Sequence, residues 1–329
     1  MPSVRSTRLR AALLALFVTF LWSTSWVIIR WGLDDEDDRL PPLTFAGLRY
    51  GLAAALLVAW TRTGPRRAIH VVERSAWRPL IALGAVMYAL TQGAQFVAID
   101  SQPAATTNLF LAMTPLAVAV TSAAVLGEHS TRRQQVGAAV VVAGAAVYFG
   151  GELGATTVGV AAAGVCLVSN AAATLLGRAV NRTATHSAVA VTAVSMTTGA
   201  VLLLAAGLLV DGVPRVSWSA AAIVAWLAVV NTAFAWTWWN HAQRSLTATE
   251  AAAINTTMAV QIPLLAWVLL DERLGIPEIA GITLVVVGVS AMRSALPTAA
   301  RTESPSSAGA TDSSQRPDRS AAAPRRDGS

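Results

Sequence analysis

The chain has 329 residues, 54% apolar and 13% charged, and its charges stand between long uncharged runs, which excludes a soluble two-domain globule. All 24 basic residues are arginine; without lysine a P-loop and a retinal or pyridoxal Schiff base are impossible, so a primary ATP-driven pump in one chain is excluded. Cys166 is the only cysteine and the four histidines are scattered, so no internal disulfide, metal site or cofactor is expected, and arginines placed beside apolar runs rather than along one helix face do not predict nucleic acid.

Ten apolar segments follow one another, at about 9–31, 43–60, 79–99, 104–126, 132–149, 157–178, 187–210, 217–241, 249–270 and 276–292. A helix needs ~20 apolar residues to cross hydrocarbon. None of these runs alternates, and open strands cannot satisfy their backbone in lipid, so all ten are predicted transmembrane helices. The first run ends at Trp26 and Trp31 rather than at small residues, so it reads as a span and not as a secretory signal. Residues 294–329, rich in Ser, Ala, Pro and Arg, are predicted to form a disordered cytoplasmic tail.

Orientation follows from the arginines, which accumulate on the cytoplasmic side. An N-terminus inside places 19 of them inside and leaves Arg30, Arg39, Arg215 and Arg273 outside, beside the acidic run Asp34–Asp38. Both termini are then cytoplasmic in a multi-pass protein of the cell membrane.

The chain also repeats itself. Leu126-Gly127-Glu128-His129 and the segment 132–149 recur as Leu270-Asp271-Glu272-Arg273 and 276–292; Glu272 minus Glu128, Gly281 minus Gly137 and Gly288 minus Gly144 all give 144. Five segments per copy is an odd number, so the second copy enters the membrane upside down. The expected fold is an all-α membrane bundle of two inverted repeats, 9–149 and 157–292. Inverted repeats mark carriers that work by alternating access around a midplane site.

Two five-helix repeats with Leu21-Trp22-Ser23, Pro42-Leu43-Thr44-Phe45 followed by Arg49, Ala104-Ala105, and Thr114-Pro115 thirteen residues before Glu128 resemble the drug/metabolite transporter superfamily, in the branch built from paired EamA domains. Ser23 stands where that family commonly has Gly after Trp, and Ala259 replaces the second-half proline, with Pro263 four residues later. The resemblance implies a secondary carrier exporting a small metabolite such as an amino acid. A non-transporting membrane subunit or a passive channel is the alternative; an intramembrane enzyme would need a nucleophile with its base, or paired acids, at depth, and the sequence has neither.

Candidate binding residues follow from polarity at depth. Tyr88, Gln92 and Gln95 share one face at α-helical spacing, and their counterparts Thr232, Trp236 and Trp239 would face them with an aromatic wall. The competing readings are helix-to-helix hydrogen bonding for the glutamines and interfacial anchoring for Trp238 and Trp239. Asn108, Asn255, Asn170, Ser25 and Trp26 are further pocket candidates, and Pro115 and Pro263 are candidate kinks. Arg49 lies about seven residues inside its span, so it needs an internal partner or a substrate carboxylate. One cation is too few for a phosphorylated substrate. Glu128 and Glu272, at helix ends, are expected to share a structural or gating role. No acid occupies the middle of a span, which disfavours antiport of quaternary cations. Gly137 with Gly144, and Gly281 with Gly288, each lie on one face and predict close packing, with a homodimer contact as one use of those faces.

Overall fold

The computed structural model of the chain describes residues 4–34, 39–63, 74–114, 116–117, 131–149, 155–182, 188–243, 254–255 and 257–293, and these are helical with short connections. Helix α1 spans Val4–Asp34 and α2 spans Pro42–Thr63. Helix α3 is one rod in three parts: Arg74–Gly84, a π-helical stretch Ala85–Gln92, and Gly93–Ser101. Helices α4, Ala104–Ala112, α5, Arg132–Phe149, α6, Thr157–Arg182, and α7, Ala188–Asp211, follow. Helix α8 repeats the three-part plan with Trp218–Ala228, a π-helical Val229–Phe234 and Ala235–Gln243. Helices α9, Met258–Leu269, and α10, Ile276–Arg293, complete the order. The tail 294–329 and the ends of the predicted segments at 104–126 and 249–270 lie outside the described residues.

Five helical runs are long and apolar enough to cross a membrane: Leu9–Asp34, Pro42–Arg62, Ala76–Ser101, Thr157–Gly177 and Val189–Asp211. Shorter apolar runs are Gln135–Tyr148, Trp218–Phe234, Met258–Leu269 and Ile276–Ala291. Their polarity is distributed for a lipid surround. Thr19, Ser23, Arg49, Gln95, Asn108 and Asn231 are buried, whereas Leu209, Trp218 and Ile276 are fully exposed. A protein in water favours the reverse. Buried hydroxyls return to their own helix, as Ser195 does by donating to the Val191 carbonyl at 2.7 Å, so they cost little in hydrocarbon.

The central core gathers around α2, where Phe45 meets Phe96 edge-on at 5.2 Å and Ala46, Tyr50 and Ala53 are buried with Met196 and Leu227. Three pairs of helices separated by the repeat offset pack on each other and run antiparallel. On α5 and α10, Gly144 lies opposite Gly281 and Gly137 opposite Gly288: a Cβ on Gly281 would stand 2.7 Å from the Gly144 carbonyl oxygen, and one on Gly288 would stand 2.7 Å from that of Gly137. On α2 and α7, Gly47 meets Leu204 while Gly207 meets Thr44. On α4 and α9, the Asn108 amide donates to the Ala259 carbonyl at 3.4 Å. The glycine faces that a homodimer contact would use are thus occupied within the chain.

Backbone cannot yield to a new side chain as a flexible one can, and overpacking costs about 1–3 kcal/mol. Gly281→Val is expected to lower the melting temperature of the purified protein in detergent by several degrees. Gly164→Ala, at a helix position with nothing within 4 Å, is expected to match or exceed the parent. Equal melting of Gly281→Val and the parent would contradict the close approach of α5 and α10.

Candidate functional site

The two π-helical stretches begin at Ala85 and Val229, positions related by the offset of 144, so each copy widens its third helix at the same place. A wide turn frees carbonyls from the α-helical ladder and is common at functional sites. In both stretches a threonine answers the carbonyl five residues earlier: Thr91 donates to Val86 at 2.8 Å and Thr232 to Leu227 at 2.9 Å. Gly84 and Gly199 let α3 approach α7 closely at this level, since a Cβ on Gly199 would collide with Tyr88 and stand 2.8 Å from the Gly84 carbonyl oxygen.

Tyr88 and Thr232 are counterparts in the two wide turns, and both reach adjacent residues of α2. Arg49 donates through Nε to the Thr232 hydroxyl at 3.1 Å, and the Tyr50 ring lies 5.6 Å from that of Tyr88. The guanidinium carbon stands 5.2 Å from the centre of the Tyr50 ring. Arg49, Tyr50, Tyr88 and Thr232 are all buried. One arginine and three hydroxyl-bearing side chains therefore meet where the two copies join. The internal partner of Arg49 is thus a hydroxyl: among the described residues the ion pairs are Arg30 with Asp34 and Arg39 with Asp100, and Arg49 forms none.

Around this centre, polar side chains stitch the copies together. Ser23 donates to the Gln261 side-chain oxygen at 2.8 Å and Asn170 to the Thr114 hydroxyl at 3.2 Å, and the Thr91 and Ser169 hydroxyls lie 3.0 Å apart. Asn231 donates to the Leu21 carbonyl and, at 3.3 Å, to the Thr24 hydroxyl. Ser25 is spent on its own helix, donating to the Trp22 carbonyl at 2.6 Å, and Trp26 belongs to the central core. Tyr88 and Gln95 are buried and Gln92 is half-buried; Tyr88 and Gln92 lie within the π-helical stretch, where α-helical spacing does not hold, and Gln95 lies just beyond it. Trp236 and Trp239 stack on Trp22 of α1, at 5.4 and 5.2 Å. Trp239 is buried there, not held at the interface, because α1 offers it an apolar partner inside the bundle. Trp238 is exposed beside Phe17 and Phe234. Asn255 is exposed, Pro263 is buried within α9, and Pro115 and Glu128 lie outside the described residues. Sequence reasoning passed over Tyr50 and Asn231; a polar or aromatic neighbour of each repeat-equivalent position was the signal.

At one end of the bundle Glu272 acts as a cap. Its carboxylate accepts the backbone N–H groups of Ala104 at 2.7 Å and Ala105 at 3.1 Å, the unsatisfied donors that open α4. Asp271 makes this possible by adopting a positive φ of 52°, which turns the chain back toward α4. Aspartate tolerates that conformation and so does glycine, which occupies the matching sequence position, Gly127. Nearby, Arg30 donates to the carbonyls of Ile99, at 2.5 Å, and Asp100 at the end of α3, a favourable place for a cation. Glu272 thus has a structural role at this end; its counterpart Glu128 lies outside the described residues.

Burial raises the Glu272 carboxyl above its ordinary range; the Ala105 and Ala104 amides and Arg30 act against the shift without cancelling it. A raised native value means that the folded state binds a proton more readily than the unfolded chain. The stabilisation is fully present below the ordinary carboxyl range and is lost as the pH rises through the raised value. The difference in melting temperature between the parent and Glu272→Gln is therefore expected to move in the parent's favour as the pH falls from about 7 to about 4. A difference that does not change with pH would count against this assignment.

The EamA-like transporter family matches residues 9–150 and 157–294, one stretch in each half. A protein of Bacillus subtilis (strain 168) named as an uncharacterized transporter, YvbV, is 26% identical over 288 residues, covering 85% of this chain and 90% of that protein. A crystal structure superposes with a TM-score of 0.59 at 21% identity, covering 86% of this chain and 96% of that one, a likeness of fold. The two matched stretches are the two halves related by the internal offset, and the chain belongs to the EamA-like transporter family, within the drug/metabolite transporter superfamily.

Proposed function

We propose that this multi-pass membrane transporter is a secondary-active carrier of the cytoplasmic membrane, with both termini cytoplasmic, that exports a small metabolite such as an amino acid. Its two five-helix repeats, ten transmembrane helices in all, are inverted and alternate between an inward-open and an outward-open state. The observation that carries the reading is the antiparallel packing of repeat-related helices, with both wide turns meeting on α2. Two copies related in this way have two equivalent ways of opening, one toward each face of the membrane, and the substrate belongs between them.

Export and the amino-acid class rest on family resemblance. The polar residues at the junction are compatible with a small amphipathic molecule: Arg49, Tyr88, Gln92, Gln95, Asn108 and Asn170 supply donors and acceptors, and Ser25, Trp26 and Trp236 flank them. The Glu272 cap holds the loop after α9 of the second copy to α4 of the first, and would have to part for that end to open.

Two measurements test this. With Cys166→Ser as background, an impermeant thiol reagent applied to intact cells is expected to label Arg273→Cys and to spare Thr131→Cys; labelling of both or of neither would refute the inversion. In proteoliposomes, uptake and efflux of a metabolite panel, with and without a proton gradient, is expected to reveal saturable exchange of at least one solute. Leakage without saturation would favour a channel, and no flux of any solute would favour a non-transporting subunit.

A further inference from the structure

We infer that Arg49 is the receptor for a single carboxylate on the substrate, so the transported solute is a monocarboxylate and not a phosphate ester, a neutral solute or a cation. This rests on the carrier reading above and narrows it to a chemical class.

The argument begins from an uncompensated charge. A guanidinium stays protonated in proteins and carries five N–H donors, one of them on Nε. That one is used: the Thr232 hydroxyl, whose own proton goes to the Leu227 carbonyl, accepts it. The terminal nitrogens have no hydrogen-bond partner among the described residues, and no carboxylate pairs with the side chain. Arg49 is nevertheless only 5% exposed, well within α2 and bonded to the wide turn of α8. Burying a charge costs several kcal/mol unless it is paired. The Tyr50 ring and one neutral hydroxyl offset only part of that cost.

The geometry also selects the anion. Thr232 holds the guanidinium by its inner nitrogen, which leaves the flat pair of terminal nitrogens free, the fork that matches a planar carboxylate bidentately. A phosphate dianion would need further cations, and the chain has no lysine. Arg30 and Arg39 are committed elsewhere, to Asp34 and the α3 carbonyls and to Asp100. Tyr50 and Tyr88 add two phenolic hydroxyls with no hydrogen bond among the described residues, suited to a carboxylate oxygen or to a polar group beside it. Because Thr232 belongs to the second copy's wide turn, relative motion of the copies would carry the fork's anchor with it, coupling grip on the anion to the change of state.

The test compares probes that differ only at this group. The common L-amino acids and their carboxamides would be added to purified protein in detergent, with binding read by thermal shift and by isothermal titration. On the parent, at least one acid is expected to bind about tenfold or more tightly than its amide. Arg49→Gln is expected to abolish that preference, and Arg49→Lys to retain part of it, since an ammonium keeps the charge but loses the fork. Where a variant does not fold, the acid-to-amide ratio on the parent decides alone. Equal binding of acids and amides, absence of binding by every acid, or a folded Arg49→Gln that keeps the preference would each overturn the assignment. Saturable transport of the amides alongside any of those results would leave the carrier intact and remove only the carboxylate.

Discussion

Everything in this protein depends on how closely its two halves approach. Between helices in lipid there is no hydrophobic drive, because the surrounding hydrocarbon is as apolar as leucine; association comes from surface fit and from hydrogen bonds. The glycine faces of α5 and α10 provide the first, bringing backbone oxygens to within van der Waals range of the facing helix. The polar stitches Ser23–Gln261, Asn108–Ala259 and Asn231–Leu21 provide the second. With the halves docked, the wide turns of α3 and α8 reach adjacent residues of α2, Tyr50 and the buried Arg49.

The parts of this arrangement that were legible in the sequence are those that write themselves in pattern. Glu128 and Glu272 at one offset disclose the repeat, glycines seven apart disclose a packing face, and an arginine inside an apolar run discloses a charge in need of a partner. What escaped was whatever depends on local backbone or on the identity of a neighbour. Widening of α3 has no marker in residue spacing, so Tyr88, Gln92 and Gln95 read as one face. Trp236 reads equally well toward a pocket or toward α1; the choice was made by Trp22, on a helix about 214 residues away in sequence. Periodicity reports which side of a helix is apolar and is silent on which helix covers it.

The two ends of the charge problem are handled differently. Toward the water, cations and anions sit at helix termini where backbone dipoles welcome them: Arg30 at the end of α3, Glu272 at the start of α4. In the interior Arg49 is held by a hydroxyl, with an aromatic ring beside it and no counter-charge among the described residues. The first set ties structure together and costs little. The second is costly unless an anion pairs with it, which is the part proposed for the substrate carboxylate.

The paired wide turns also have a mechanical consequence. A bulge of this kind can travel along its helix one residue at a time, each step exchanging one carbonyl partner for the next at the cost of about one hydrogen bond. The rods on either side then slide and rotate past their neighbours like segments of an earthworm, while the backbone remains hydrogen-bonded throughout. A pair of such bulges, one in each half, would let the interior be rearranged without unwinding any helix in oil.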